Sequence, residues 1–468
     1  MSKSLSSADQ RTVDDMVARA RAAMESVKDL GQAEVDRLCQ ALGWATANEK
    51  TFTRLAQIGV DESGLGDRDG RASKRFKIMG VLRDALRQKS IGVIEELPEK
   101  GIVKYGKPAG VIASLVPTTN PDLTPAFTGI YALKCLDAVI FSPHPRAKLT
   151  TNATVDIMRH ALAREDISED LFQCIKTPSI PITQYLMAQC DLVFATGGQP
   201  MVRAAYSSGK PAYGVGAGNS TMVIDETAEP EIAARNTRIS KTSDFGSGCS
   251  ADGNLLIDER VYDRMIKALQ AEGGYLASSN DAAKIEPVIW DEHGHRQPDS
   301  VACSPQRIAQ LAGISIPDDA KFIIVKGDKI GPEHNFSREK LTTLLTVFRY
   351  SGFDEALDKV RQIYEVGGKG HSCGIYSHND DHIDRLARVA PVSRMMVRQP
   401  QSKANAGSFT NGMPMTSSLG CGIWGGNITN ENVHLKHFMN VTWVSRPTPE
   451  DKPSEQELFG EFYGTATE

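Results

Sequence analysis

Apolar residues recur at helical spacing in some segments of this chain and form short continuous runs in others. Val13, Met16 and Val17 fall on one helical face, and Ser7 followed by Gln10 forms a capping pattern, which together predict a helix from Ser7 to about Val27. The same spacing predicts further helices at about 31–47, 71–89, 150–163, 201–208 and 228–240. Continuous or alternating apolar runs predict strands at about 91–103, 110–116, 138–142, 192–196 and 440–444.

Strands and helices alternate along the chain, which indicates an α/β fold with parallel sheets wound by helices. The polar turn at 95–101 lies between two strand-like runs, so the segment 92–109 is predicted to form a protruding hairpin arm. A length of 468 residues is too great for one compact core, so two domains are expected.

Composition narrows the class of protein. The chain is 40% hydrophobic and 24% charged, with 40 glycines, as in α/β enzymes. A net charge of −5 gives no general attraction to nucleic acid or to anionic membranes, so neither is expected as a partner. The eight cysteines include no CxxC pair, and neither a secretory signal nor an apolar run of about 18 residues is visible, so we expect a cytoplasmic protein without a disulfide framework or a bound metal.

Cys249 is the first candidate for chemistry. It follows the predicted helix at 228–240 in a Gly/Ser-rich segment, and backbone N–H groups of such a segment can stabilise a thiolate. Taken alone, a cysteine is more often a small buried hydrophobic residue.

Two glycine clusters are candidates for ligand approach. Gly197 and Gly198 lie between a predicted strand and a helix, where backbone N–H groups can bind a pyrophosphate. The cluster at 214–219 also permits close backbone approach. Neither matches GxGxxG, and each is ambiguous by itself.

Considered together and in order, these motifs resemble the aldehyde dehydrogenase superfamily, and within it the coenzyme A-acylating branch. The resemblance spans about residues 15–445 and is carried by the segments 117–121, 141–148, 195–198, 206–211, 214–219, 241–250 and 419–427. It implies a Rossmann-type cofactor domain at 1–240, a catalytic α/β domain at 241–425, and a return segment at 426–468 that forms homodimers or homotetramers with the arm.

The resemblance also implies residue roles. Cys249 matches the nucleophile, Asn120 matches the oxyanion-hole amide, and His371 matches a histidine near the catalytic thiol, with either a catalytic or a purely structural role. Contacts to NAD or NADP, between which the sequence does not choose, are implied for Thr118, Ser142, His144, Arg146, Gly197, Gly198, Gly216 and Glu339.

One departure from the superfamily bears on the reaction. Val215 stands where hydrolytic members carry the glutamate that activates water. Without that base, hydrolysis of a Cys249 thioester loses a contribution of about 10²–10⁴-fold. The resemblance then implies coenzyme A as acyl acceptor and a small aldehyde, with sulfoacetaldehyde expected and acetaldehyde or another short aldehyde as the alternative.

The substrate contacts are less defined. Ser247 and Ser250 flank the nucleophile and can leave room and donors for a polar head group. Candidates for binding its anionic end are Arg238, Arg394, Arg398 and Lys403. His378 and His382 are spaced like metal ligands, but a solvated acidic turn is the preferred interpretation. A hydrolytic dehydrogenase with a relocated base and a non-catalytic scaffold with this fold remain as alternatives.

Overall fold

The computed structural model describes residues 5–465 and begins with a group of helices. These are α1 (Ser7–Val27), α2 (Gln32–Ala47), α3 (Glu49–Ser63), α4 (Arg68–Ala72) and α5 (Arg75–Leu86). The cap of α1 is Ser6 and not Ser7, because the Ser6 hydroxyl accepts a hydrogen bond from the backbone N–H of Asp9 at 3.1 Å. The single helix predicted at 71–89 is also wrong, since α4 ends at Ala72 before α5 begins, and α3 was not predicted.

A hairpin arm follows these helices. Its strands are β1 (Gly92–Leu97) and β2 (Ile102–Pro108), which pair antiparallel. Gly101 closes the turn with a φ of 60°, a conformation that favours glycine. The arm lies within the predicted segment 92–109.

The first sheet is entirely parallel. Its strands are β3 (Val111–Val116), β4 (Ala138–Pro143), β5 (Phe172–Cys174), β6 (Leu192–Thr196) and β7 (Ala212–Val215), in the order β5-β4-β3-β6-β7. The intervening helices are α6 (Leu123–Lys134), α7 (Lys148–Ala163), α8 (Ile180–Gln189) and α9 (Gln199–Tyr206). This is the doubly wound order of a Rossmann-type sheet, whose ligand crevice lies where the winding reverses, here between β3 and β6.

The second sheet has seven parallel strands. They are β8 (Thr221–Ile224), β9 (Asn254–Asp258), β10 (Gly274–Leu276), β11 (Phe322–Lys326), β12 (Leu344–Tyr350), β13 (Cys373–Tyr376) and β14 (Met395–Val397), in the order β10-β11-β12-β9-β8-β13-β14. Its helices are α10 (Pro230–Thr242), α11 (Tyr262–Ala271), α12 (Ser279–Ile289), α13 (Pro305–Ala312), α14 (Phe353–Val366), α15 (Asp380–Val389) and α16 (Gln401–Ala404). Because β8 belongs to this sheet, the chain crosses between the two sheets near residue 220, earlier than the predicted boundary at 240.

The chain then returns across the first sheet and joins the arm. Phe438 packs against the core of the first sheet, and β15 (Met439–Ser445) pairs antiparallel with β2. The expected added strand is therefore present. Trp443 on this strand is 59% exposed within this chain, with the Lys104 ammonium 4.1 Å from the centre of its ring. The short helix α17 (Glu455–Phe459) follows in an exposed segment.

Candidate active site

Cys249 and His371, two of the three candidate catalytic residues, lie at the N-terminal edge of the second sheet. Ser220 directly precedes β8, Cys249 precedes β9, and His371 with Ser372 directly precedes β13. The strands β9, β8 and β13 are neighbours in the sheet and run parallel, so the residues before them meet at one edge. Sheet topology thus brings together residues far apart in sequence.

These four residues form a closed ring of polar contacts. Cys249 Sγ lies 3.0 Å from His371 Nε2, and His371 Nδ1 lies 2.8 Å from Ser372 Oγ. Ser372 Oγ lies 3.0 Å from Ser220 Oγ, which donates to the Cys249 carbonyl oxygen at 3.4 Å. One arrangement of protons satisfies every contact: the thiol donates to Nε2, Nδ1–H donates to Ser372, and Ser372 donates to Ser220. The ring therefore selects the imidazole tautomer whose Nε2 accepts a proton from the thiol.

The resting pair is uncharged. Burial raises the pKa of the Cys249 thiol to about 12, with a smaller contribution from Glu339. Burial also lowers the pKa of His371 to about 3, assisted by the nearby Arg394 guanidinium. A neutral thiol facing a neutral imidazole is ready for proton transfer during nucleophilic attack rather than being a preformed ion pair.

Gly218 allows the crossover loop to approach the nucleophile. A Cβ atom at this position would lie 2.1 Å from the carbonyl oxygen of Cys249 and 3.2 Å from the ring of His371. Such a contact is sterically forbidden, so only glycine fits here without moving the catalytic pair. Within the cluster at 214–219, the structure thus requires glycine at position 218.

The turn before the nucleophile is strained and anchored. Asp244 and Phe245 both have a φ of 49°, which is rare for residues with a Cβ. The buried Asp244 carboxylate accepts hydrogen bonds from Lys74 Nζ at 2.6 Å, Arg71 Nη2 at 3.3 Å and the Ser247 hydroxyl at 2.8 Å. Burial would raise the pKa of Asp244, but Lys74 and Arg71 hold it below its ordinary value. This buried ion cluster fixes the turn that carries Cys249.

Lys74 also contacts the candidate oxyanion donor. Its Nζ donates to Asn120 Oδ1 at 2.8 Å and to the Thr119 carbonyl at 3.2 Å. The amide Nδ2 of Asn120 carries two N–H groups: one donates to Thr119 Oγ1 at 3.4 Å, and the other can donate to a substrate oxygen. Asn120 and Cys249 line the same cavity.

Two cavities meet at this edge. The larger, about 740 Å³, contains Cys249 and Asn120, and the smaller, about 420 Å³, extends past Gly218 and Trp424. Both are lined by Gly216, Ala217, Arg296 and Glu339. Cys249, the candidate nucleophile, can therefore be approached from more than one cavity.

Several predicted cofactor contacts line these cavities. Thr118, Gly197, Gly198, Gly216 and Glu339 do so. Gly198 caps α9 without a side-chain hydrogen bond. Pro200 has no N–H and the Met201 N–H donates to the Gly198 carbonyl at 3.0 Å, so the backbone N–H groups of Gly198 and Gln199 are the ones that can bind an anionic pyrophosphate, which fits a dinucleotide. Glu339 accepts from Arg296 at 2.7 Å and from the backbone of Gly218 at 3.1 Å.

The other predicted cofactor contacts, Ser142, His144 and Arg146, do not line these two cavities. Ser142 is buried and its hydroxyl is bonded to that of Thr183 at 2.7 Å, so it is not open to a ribose. His144 accepts from the backbone N–H of Arg146, whose guanidinium donates to the Ser63 carbonyl at 2.9 Å. His144 and Arg146 lie beyond the end of β4, outside the residues that line the two cavities.

The three arginine candidates for an anionic substrate group are bonded to other parts of the protein. Arg238 is paired with Glu272 at 2.5 Å, and Arg398 donates to the Ser377 carbonyl. Arg394 is buried and donates to backbone carbonyls, that of His371 among them at 2.8 Å. None of these three guanidinium groups lines the larger cavity.

Lys403 does line the larger cavity, as do Ser247 and Ser250. The Ser247 hydroxyl proton is directed to Asp244, however, so Ser247 is not a free donor to substrate. Sequence reasoning missed Lys74, Lys77 and Arg296, which also line this cavity. Lys74 and Lys77 are three residues apart in sequence, which indicates a shared helical face but not what that face meets.

The structure bears on the glutamate that Val215 replaces. Val215 is buried in the core of the first sheet and does not line either cavity. The residues that line the larger cavity include one carboxylate, that of Glu339, and it is ion-paired with Arg296.

Outside this site, Asp225, Glu226 and His382 are close enough to hold a cation between them. His382 is buried, contrary to the expected solvated turn: it contacts Asp225 at 2.8 Å and stacks on Phe353 at 3.8 Å. These contacts give His382 a structural role.

Within residues 5–465, no helix combines the length and apolar character needed to cross a membrane.

Comparison with known proteins identifies the class. The model of the aldehyde dehydrogenase family matches residues 2–444, and the chain belongs to this family. It is 43% identical to a sulfoacetaldehyde dehydrogenase from an Acholeplasma species over 95% of this chain and 93% of that one. It is 38% identical to the acylating sulfoacetaldehyde dehydrogenase of Bilophila wadsworthia over 97% and 99%.

Its fold is also similar to that of a solved acetylating aldehyde dehydrogenase from Geobacillus thermoglucosidasius, with a TM-score of 0.91 and 32% identity over 95% of this chain and 98% of that one. The resemblance to the acylating branch and the expected α/β fold are thereby confirmed.

Proposed function

We propose that this enzyme oxidises sulfoacetaldehyde to sulfoacetyl-coenzyme A, using NAD or NADP and a thioester on Cys249. The observation that carries the acylating chemistry is the contact of Cys249 with His371 in a cavity that has no free carboxylate to activate water. The substrate is supported by the named activities of the relatives at 43% and 38% identity.

The chain's own groups supply covalent and acid–base steps. The Cys249 thiol attacks the aldehyde carbonyl and passes its proton to His371 Nε2, which the ring leaves unprotonated. Asn120 Nδ2 and the Cys249 backbone N–H donate to the developing oxyanion, and such donors are commonly worth about 3–4 kcal/mol each. Bound nicotinamide supplies a hydride acceptor, and its dinucleotide would be held by Gly197, Gly198 and Glu339.

Acyl transfer then completes the cycle. The thiol of coenzyme A gives up its proton as its sulfur bonds to the acyl carbon, the bond from that carbon to the Cys249 sulfur breaks, and the departing sulfur takes up a proton. His371 is positioned to move that proton, because its Nε2 lies 3.0 Å from the sulfur. The larger cavity offers no free carboxylate of the kind that activates water in hydrolytic members of the family.

A panel of aldehydes tests the proposed reaction. Sulfoacetaldehyde, acetaldehyde, propionaldehyde and succinate semialdehyde are assayed with each nicotinamide and coenzyme A, and the products are identified by mass spectrometry. We expect the highest kcat/KM for sulfoacetaldehyde and a sulfoacetyl-coenzyme A product, with no turnover by Cys249→Ala. A preference for an uncharged aldehyde would reject the proposed substrate.

We further propose that the arm forms a homodimer or homotetramer. The strand β15 is an outer strand of the three-stranded arm sheet, and it exposes Val441, Trp443 and Val444. An exposed apolar edge strand favours pairing with another chain, and a second copy presents a matching edge.

A further inference from the structure

Two lysines in the larger cavity are not matched by carboxylates. Of the cationic side chains that line it, Lys74 is paired with Asp244 and Arg296 with Glu339. The remaining two are Lys77 and Lys403. Their charges give this cavity an excess of positive potential.

The two lysines differ in how they are held. Lys403 Nζ donates to the Ser243 hydroxyl at 2.8 Å, a neutral partner. Lys77, on α5, has no side-chain hydrogen bond or ion pair to any of residues 5–465. Such a lysine has three donor protons that a ligand in the cavity can accept.

Neighbouring ammonium groups disfavour the charged form of each lysine: Lys403 and Lys74 act on Lys77, and Lys74 acts on Lys403. Burial, together with Lys403 and Lys74, lowers the pKa of Lys77 to about 7, and burial lowers the pKa of Lys403 as well. A bound anion would relieve this repulsion and keep both groups charged. A neutral ligand offers no such compensation.

We propose that Lys77 and Lys403 form a subsite that binds the anionic end of the aldehyde, a sulfonate or carboxylate, while the carbonyl faces Cys249. The subsite deepens the proposed function and rests on it. Both lysines and Cys249 line one continuous cavity, so an aldehyde in it can contact the nucleophile and the ammonium groups. The subsite selects anionic over uncharged short aldehydes.

Substitution of the two lysines tests this subsite. Lys77→Met and Lys403→Met keep much of the side-chain length but remove the charge. For each variant we expect the ratio of kcat/KM for sulfoacetaldehyde to that for propionaldehyde to fall at least about 30-fold, mainly through KM. The matched control is Lys267→Met on the exposed side of α11, which should leave the ratio unchanged. Succinate semialdehyde shows whether a carboxylate is accepted as well as a sulfonate.

Inhibition by propane-1-sulfonate separates this inference from the proposed reaction. The wild-type enzyme should be inhibited competitively against propionaldehyde, and Lys77→Met should lose that inhibition, whether or not sulfoacetaldehyde is the best substrate. An unchanged aldehyde ratio and unchanged inhibition in both variants would overturn the subsite. A wild-type preference for propionaldehyde with intact, lysine-dependent sulfonate inhibition would reject the proposed substrate but retain the subsite.

Discussion

Asp244→Asn should weaken both the fold and the catalytic loop. The substitution keeps the shape of the side chain but removes the negative charge that Lys74 and Arg71 share in a fully buried position. Removing one partner of a buried ion pair typically costs about 3–5 kcal/mol, because the other charge is left uncompensated. The same carboxylate holds two residues at positive φ, each of which stores about 1–3 kcal/mol of strain. We therefore expect a loss of about 3–5 kcal/mol in the free energy of unfolding.

Urea unfolding at fixed protein concentration measures that loss, and the rate of the first turnover measures the position of Cys249. A displacement of the nucleophile by about 1 Å can cost 10²-fold in rate. The control is Asp15→Asn, which breaks the exposed ion pair with Arg19 and should cost less than about 1 kcal/mol. A loss below about 1 kcal/mol in Asp244→Asn, together with an unchanged first-turnover rate, would refute the role of this ion cluster.

Further predictions concern the thiol, the ring and the arm. Burial raises the pKa of Cys249 to about 12, so its thiolate fraction should rise about tenfold per pH unit from pH 7 to 10. The rate of alkylation by iodoacetamide, after subtraction of the rate in Cys249→Ala, should rise in the same way. A plateau in that rate below pH 8 would contradict this. Ser372→Ala removes the acceptor of His371 Nδ1–H, so the first-turnover rate should fall about 10–100-fold and its pH profile should shift, with recovery in Ser372→Thr; an unshifted profile would leave Ser372 with a packing role. Trp443→Glu should shift the molecular mass measured by sedimentation toward that of the monomer, and a wild-type enzyme that is already monomeric at micromolar concentration would reject the oligomer.

The sequence predicted the elements that depend on local pattern. Three of the five strands of the first sheet (β3, β4 and β6) and the loop that carries Cys249 were identified, because apolar runs and glycine-rich turns are local signals. The short outer strands β5 and β7 were not predicted. The sequence did not predict that the strand beginning at Thr221 joins the second sheet, since nothing near Thr221 indicates which sheet that strand joins.

The contacts of charged side chains were predicted least well, because the residues that they contact lie far away in sequence. Arg238 was a candidate for an anionic ligand until the fold brought it to Glu272. Lys77 was missed because only the tertiary structure shows that its face of α5 meets the cavity of Cys249. Ser220 and Ser372 were not singled out, since their contact depends on the neighbouring order of β8 and β13.

Omission of coenzyme A tests the central claim most directly. Val215 is buried where a catalytic glutamate would be needed, and Glu339 is engaged by Arg296, so no free carboxylate is positioned to activate water. With aldehyde and oxidised nicotinamide alone, we predict a burst of about one reduced nicotinamide per active site, then a stall with an acyl group on Cys249 detectable by mass spectrometry. Addition of coenzyme A should restore turnover. Steady production of the free acid without coenzyme A would contradict the acylating mechanism.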